Sequence, residues 1–327
     1  MQSPPDHEDE VKFAKALVNP EKESRDKTLA NLHKYVASIK SFDDMEMLKL
    51  WKALYYTMWL SDKAPIQLEL AQNLTNLTQV FSTVELQLLY VRMFFRILMR
   101  EWFHLDQYRV NKFYSLIRLM FRNVLATAAK AGWASEITAK LIEIVDVEVL
   151  MKKPNGVRFH IADIFLSELH TVTSGKIATK DFLVVFRPFL DSVLRLDDNN
   201  VYIERVYKEV LHKYASTYAA ENADSEETTT VFAGVNTKVL QKVVFDLASE
   251  EETPNVCRKK LYDLHKAYAA ATKQQFVGES VEALLAADAT HTKGAVAAAA
   301  KKDKKKAAAA VVPEPEPVMV VEVVNET

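Results

Sequence analysis

The sequence predicts an all-α protein, built as an irregular α-solenoid of stacked antiparallel helices. Apolar residues recur at helical spacing almost without a break from Val11 to about Tyr218. The 327 residues include only 6 glycines and 10 prolines, which favours long helices over a turn-rich β fold. The segments between the apolar repeats are short, so neighbouring helices are expected to run antiparallel.

Short interruptions of the helical pattern place the individual helices. They occur at Asn19-Pro20, Ala64-Pro65, Ala131-Gly132, Pro154-Asn155-Gly156 and Ser174-Gly175. Ten helices in series cannot share one small bundle core, so we expect a HEAT- or armadillo-like stack, although no regular repeat is visible. The ten predicted helices cover 9–18, 22–39, 43–60, 65–79, 83–103, 107–131, 134–151, 156–172, 179–195 and 199–217.

Composition divides the chain into five predicted regions. A helical-repeat domain at 9–218 follows an acidic, disordered N-terminus at 1–8. Residues 219–234 are acidic and rich in Ser and Thr, which is typical of a linker or exposed loop. C-terminal helices are expected within 235–288, and a disordered low-complexity tail of Ala, Lys and Pro at 289–327. The C-terminal helices are predicted at 235–249 and 255–273, with a weaker one at 279–288.

The segment Leu48–Lys63 is unusually rich in large side chains. It reads LKLWKALYYTMWLSDK, and Trp51, Tyr55, Met58 and Trp59 recur there at helical spacing. One helix face with four such side chains is typical of a core packed between helices rather than of a ligand-stacking site. We therefore predict that the two tryptophans and the tyrosine are buried.

The segment at 51–63 is one of four that together resemble a known family. The others are Phe13–Val36 (FAKALVNPEKESRDKTLANLHKYV), Met99–Arg122 (MREWFHLDQYRVNKFYSLIRLMFR) and Pro154–Leu169 (PNGVRFHIADIFLSEL). In this order and spacing they resemble the eukaryotic ribosomal RNA-processing protein one family, also called the Nop-type nucleolar family. The resemblance covers about residues 11–215.

The resemblance implies a non-enzymatic scaffold of the nucleolus and nucleus that acts in pre-rRNA processing and large ribosomal subunit biogenesis. Its expected partners are the large-subunit pre-rRNA and other ribosome assembly factors, met in pre-ribosomal particles. The alternative is a nuclear α-solenoid adaptor that binds protein peptides without RNA. A third, weaker alternative is a hydrolase with an unrecognised site.

The sequence contains no pattern typical of catalysis or of a cofactor site. Its eight histidines form no HExxH motif, phosphate-binding glycine loops are absent, and the single Cys257 excludes a disulfide within the chain. His160 and Asp163 come closest to a constellation, and we interpret them as a pair on a helix surface. No apolar run approaches a membrane span, and MQSPPDHEDE is not a signal peptide. We expect a soluble intracellular protein with no catalytic residues, metal, cofactor, small-molecule substrate or membrane contact.

Positive charge is concentrated in one part of a chain whose formal net charge is −2. Residues 86–130 contain eight basic and two acidic side chains, and three arginines are spaced i, i+4, i+8 on one predicted helix. This region could bind RNA phosphates, bind a protein partner, or pair internally with acids such as Glu69, Glu85, Glu143 or Glu148. The candidate RNA- or partner-binding residues are Arg92, Arg96, Arg100, Arg109, Lys112, Arg118 and Arg122.

A second basic element lies in the tail, where residues 301–306 read KKDKKK. Such a cluster is typical of a nuclear-import signal or a nonspecific RNA-binding element, and the alternative is a tail that only aids solubility. Its basic residues are Lys301, Lys302, Lys304, Lys305 and Lys306.

Overall fold

The computed structural model describes residues 15–194, 200–219, 231–272 and 279–288. All regular elements in these ranges are helices, which confirms the all-α prediction. The predicted N-terminus at 1–8, residues 220–230 of the predicted linker and the tail at 289–327, with the five lysines of its KKDKKK cluster, lie outside the described residues.

Eleven helices of the described ranges are labelled α1 to α11. A single helical turn also lies at 15–17, and an unlabelled helix covers 281–288, within the range predicted for the weaker C-terminal helix. The helices are α1 (Lys22–Ser38), α2 (Asp44–Leu60), α3 (Ala64–Asn76), α4 (Val84–Glu101), α5 (Val110–Ala131), α6 (Glu136–Val145), α7 (Asn155–Thr173), α8 (Thr179–Leu194), α9 (Asn200–Val206), α10 (Thr237–Ser249) and α11 (Asn255–Thr272).

Two of the predicted helices change their winding part-way. The helix predicted at 134–151 is α-helical only to Val145 and continues as a π-helical turn, Asp146–Leu150. The helix predicted at 199–217 likewise passes from α9 into two π-helical turns, Tyr207–His212 and Tyr214–Tyr218. Wider winding rotates the side chains that follow, so the outward-facing residues of these segments differ from those of a regular helix.

Helices that are two apart in the chain pack against each other. Helix α2 packs on α4 and α4 on α6, while α3 packs on α5, α5 on α7 and α7 on α9. Helices α10 and α11 form a hairpin, and α11 packs on the π-helical turns that follow α9. This order of contacts is expected of stacked helical pairs, which supports the solenoid interpretation.

The residues at the starts of α2 and α3 are of types that favour a helix start. Asp43 is the N-cap of α2: its side chain accepts a hydrogen bond from the Glu46 backbone, and the Glu46 side chain accepts one from the Asp43 backbone. Pro65 lies in the first turn of α3, where the missing N–H has no helical partner to lose. Both helices therefore start where local chemistry favours a start.

The aromatic segment of α2 is part of the core, as predicted for Trp51 and Tyr55. The Trp51 ring lies 4.5 Å from the Tyr90 ring, and its indole N–H donates to the Tyr90 carbonyl at 2.8 Å. Tyr55 is also buried, with its ring 4.7 Å from that of Phe113. The prediction for Trp59 needs correction, because this side chain at the end of α2 is only partly buried at the edge of the core.

The C-terminal helices are joined to the core by residues that the sequence suggested were exposed. Phe232 is fully buried, and its backbone N–H donates to the Tyr218 carbonyl at 2.9 Å. Its ring lies 5.2 Å from the Phe182 ring of α8. The prediction of an exposed loop is therefore wrong at Phe232, because the side chain of this residue fills a gap between α8 and the turns after α9. The wider division into domains remains a prediction.

Candidate binding surfaces on the basic helices

Helix α4 carries the three-arginine stripe across the centre of the α2–α4–α6 row. Thr83 caps its start, and buried apolar residues cover most of its circumference. Arg96 donates to Asp44 at the start of α2 and to Glu148 in the π-helical turn after α6, both at 2.8 Å. Glu148 is buried and also accepts from Lys152 at 2.5 Å. Arg96 thus ties three consecutive members of the row together.

The other two arginines of the stripe have weaker ties. Arg100 is exposed and donates to its chain neighbour Glu101 at 3.0 Å. Among the described residues, Arg92 has no ion-pair partner. A single pair between chain neighbours, one of them an exposed arginine, contributes little to stability. Arg100 and Arg92 therefore remain available to an outside ligand.

Two arginines of α5 form a second network with one carboxylate of α7. Arg118 donates to Glu168 at 2.6 Å and Arg122 donates to its other oxygen at 2.5 Å. The Glu168 side chain is 1% exposed, whereas both arginine side chains retain about two-fifths of their exposure. A buried carboxylate that accepts two charge-assisted hydrogen bonds is compensated, and each guanidinium keeps an edge at the surface.

Arg109 and Lys112 lie where the loop after α4 meets the end of α2. The Arg109 guanidinium stacks 3.9 Å from the centre of the Trp59 ring and also pairs with Asp106. The Lys112 ammonium is buried and donates to the Trp59 and Ser61 carbonyls, both at 2.6 Å. Burial lowers the pKa of Lys112 to about 8. Lys112 therefore satisfies carbonyls at the end of α2, and its position removes it from the surface candidates.

Internal pairing thus accounts for part of the predicted basic region. Of the four acids that we considered as partners, Glu148 pairs with the stripe, whereas Glu69 pairs with Arg25 of α1. The sequence reasoning missed Glu168, the main partner of the α5 arginines. A signal existed, since Glu168 stands as a lone acid in the apolar run IFLSEL of α7.

The two arginine networks are built against different helices. Arg96 joins α2 to the turn after α6, and the α5 arginines join α5 to α7. No ion pair or hydrogen bond within the described ranges links one network to the other. That the two arginine networks form a single basic face of the protein remains a prediction.

The expected surface pair of His160 and Asp163 is wrong. Asp163 instead accepts two hydrogen bonds from Arg205 of α9, at 2.6 and 2.7 Å. His160 Nε2 donates to the Tyr114 carbonyl at 3.1 Å, and burial lowers the pKa of its ring. Both residues thus join neighbouring helices of the α5–α7–α9 row.

The described part of the chain holds no group of three or more His, Cys, Asp or Glu side chains suited to a metal ion. Burial raises the pKa of the Cys257 thiol, even though basic side chains follow it at positions 258–260. No helix in the described ranges is both long enough and apolar enough to cross a membrane.

The chain is similar to a known protein family and to several curated proteins. The model of a family described as "Nucleolar protein, Nop52" matches residues 8–265. The chain belongs to the Nop52 family. The Nop52 match begins before α1 and ends within α11, so it extends beyond the resemblance at about 11–215 and includes both arginine networks.

Curated relatives of this Nop52 chain have consistent names. It is 30% identical over 241 residues to "Ribosomal RNA processing protein 1 homolog B" of Mus musculus, covering 71% of the chain and 33% of that protein. It is 32% identical over 209 residues to "Ribosomal RNA processing protein 1 homolog A" of Homo sapiens, covering 62% and 44%. The Caenorhabditis elegans homolog is 27% identical over 277 residues, covering 81% and 69%. The chain thus spans less than half the length of these two mammalian relatives.

Proposed function

We propose that this chain is a non-enzymatic scaffold in pre-rRNA processing and large ribosomal subunit assembly. It acts in the nucleolus and nucleus, where it binds pre-ribosomal particles that contain large-subunit pre-rRNA and other assembly factors. The observation that carries the proposal is the Nop52 match over residues 8–265, together with relatives named as ribosomal RNA processing proteins.

The pairing pattern of the arginines indicates how such a scaffold contacts its particle. Arg96, Arg118 and Arg122 are held by buried carboxylates, so their first role is to join helices. Arg92 and Arg100 keep their charge for an outside ligand, and a phosphate backbone suits two cations spaced along one helix face. We assign the RNA contact of α4 to these two residues.

Charge reversal of the two available arginines tests this contact without breaking the fold. The double variant Arg92→Glu/Arg100→Glu should retain its helical content, because Arg92 has no ion pair among the described residues and Arg100 pairs only with its chain neighbour Glu101. In gradient sedimentation of cell extracts, the variant should shift from the pre-ribosomal fractions towards free protein. The association of the wild-type chain should weaken as salt rises, since phosphate contacts release counterions.

Lys180→Glu/Lys238→Glu is the matched control. Both lysines are exposed, lie on α8 and α10, have no ion pair within the described ranges, and give the same change in net charge. This variant should sediment like the wild type. If the wild-type chain does not travel with pre-ribosomal particles, the scaffold proposal is wrong and the peptide-binding adaptor becomes the better interpretation. If both double variants lose association equally, net charge rather than the α4 stripe explains the effect.

A further inference from the structure

Helix α2 carries basic and aromatic side chains together on the side that faces away from the core. This side, called the outer face of α2 below, consists of Met45, Lys49, Lys52 and Tyr56. Their spacing of four, three and four residues places them along one side of a helix. All four side chains are exposed, Met45 by 58% and Tyr56 by 41%. The buried residues of α2, among them Trp51, lie on the other side of the helix.

The positive charge of the outer face is uncompensated. Within the described ranges, neither the Lys49 nor the Lys52 side chain has an ion pair or a hydrogen bond. The acidic residues of α2 lie only in its first turn, where Asp44 is already paired and Glu46 completes the capping box. No acidic residue follows in the rest of the helix. Two ammonium groups therefore remain for an anionic ligand such as a phosphate backbone.

Tyr56 adds an exposed ring whose orientation is restricted by the core. Its ring lies 5.6 Å from that of the buried Tyr55, and the two planes are nearly perpendicular, at 89°. A ring held in this way loses little conformational entropy when a ligand stacks on it. Proteins hold single-stranded nucleic acid by combining basic side chains for the phosphates with aromatic rings for the bases. Because the bases of a duplex are stacked on one another, the outer face favours a single strand.

The outer face of α2 adjoins the arginine stripe of α4. The two helices pack side by side, and the Arg96–Asp44 pair that joins them lies at the surface, with its side chains 40% and 63% exposed. Lys52 follows Asp44 by about two helical turns, so the pair lies at the edge of the outer face. On the other flank of α4, helix α6 exposes Glu136 and Glu143 against a single lysine, and this charge balance disfavours phosphates.

We propose that the outer face of α2 binds a single-stranded segment of RNA, with phosphates at Lys49 and Lys52 and one unpaired base stacked on Tyr56. The strand continues from there to Arg92 and Arg100 of α4 and ends before α6. This inference rests on the proposed function for its choice of RNA as the polyanion. It adds a contact site and a type of strand that the α4 arginines alone do not define.

RNA binding by the purified full chain tests the site directly. The probe is a fluorescein-labelled RNA single strand of about 20 nucleotides and mixed sequence, compared with the duplex of the same sequence. The variant Lys49→Glu/Lys52→Glu should keep the wild-type melting temperature, because neither ammonium group has a partner within the described ranges, and should bind the single strand at least about tenfold more weakly. Tyr56→Leu should weaken binding of the single strand by about fivefold.

Lys180→Glu/Lys238→Glu is again the matched control for net charge, and it should bind the single strand within about twofold of the wild type. Three results would overturn the proposal. They are wild-type affinity of the Lys49→Glu/Lys52→Glu variant, an equal loss of affinity in both double variants, and tighter binding of the duplex than of the single strand by the wild-type chain.

Photocrosslinking in cells separates this inference from the proposed function. A photoreactive phenylalanine analogue is placed at position 56 of the full chain or, as the matched control, at the exposed Ala139 of α6. Position 56 should crosslink to RNA, whereas position 139 should not. If position 56 crosslinks only to protein, or both positions crosslink equally to RNA, while the chain still sediments with pre-ribosomal particles, the site is wrong and the proposed function stands. If the chain does not travel with these particles, the proposed function is wrong, and an RNA crosslink at position 56 alone would still support the site.

Discussion

At the scale of single residues, Glu168 explains why a protein with a basic segment can keep that segment ordered. Its side chain is nearly inaccessible and accepts from two arginines of another helix. A lone buried carboxylate would be costly, but two guanidinium groups with solvent-facing edges offset the cost. Arg118 and Arg122 therefore belong to the packing of α5 on α7 first, and to any surface contact second.

Replacing Glu168 with Gln should destabilise the fold by about 2 kcal/mol, because it removes the charge from two hydrogen bonds to arginine. The free energy of unfolding, measured with denaturant, checks this value. Glu136→Gln is the control: Glu136 pairs with Lys140 on the exposed face of α6, and its loss should produce no measurable change. If both substitutions changed the free energy of unfolding equally, the role of Glu168 in the packing of α5 on α7 would be contradicted.

At the scale of helices, the sequence predicts positions well wherever local chemistry decides them. Asp43 caps the start of α2, Pro65 lies in the first turn of α3, and the apolar spacing of α4 predicts its burial. The ion pairs could not be predicted in this way, since Arg118 and Glu168 are 50 residues apart in the chain. The π-helical turn at 146–150 also escapes prediction, because its residues keep apolar spacing compatible with a regular helix.

Helix α2 carries two tryptophans that are buried to different extents, so their truncation should destabilise the fold by different amounts. Truncating Trp51 to Ala should cost about 3–5 kcal/mol, since the ring is enclosed by Tyr90 and Phe94 and its N–H has a buried acceptor. Truncating Trp59 should cost clearly less, because this ring is only partly buried beneath Arg109. Chemical denaturation of both variants provides the comparison. A larger loss for Trp59 than for Trp51 would contradict the structure at this end of α2.

At the scale of the whole molecule, two rows of helices provide a continuous core to which the C-terminal hairpin is attached. Tyr268 of α11 donates from its hydroxyl to the Leu211 carbonyl at 3.0 Å, and Phe232 is buried against α8. The change in composition after Tyr218 suggested a separate segment, but composition alone does not indicate that Phe232 is buried in the core. The helical body thus includes α10 and α11, whereas the basic tail remains a prediction from sequence.

The tail and the helical body should therefore separate in function. Residues 301–306 carry five lysines in an alanine-rich context, and from this composition we predict that they do not fold alone. Deleting 290–327 should leave the melting temperature of the body nearly unchanged, while nuclear and nucleolar accumulation of a fluorescent fusion should fall. Substituting the five lysines with Gln in the full chain is the matched control, and it should reproduce the loss of accumulation. A large drop in the melting temperature of the truncated protein would show that the tail packs on the helical body. Full nucleolar accumulation of the truncated protein would show that the helices determine its localisation, through binding to the particle itself.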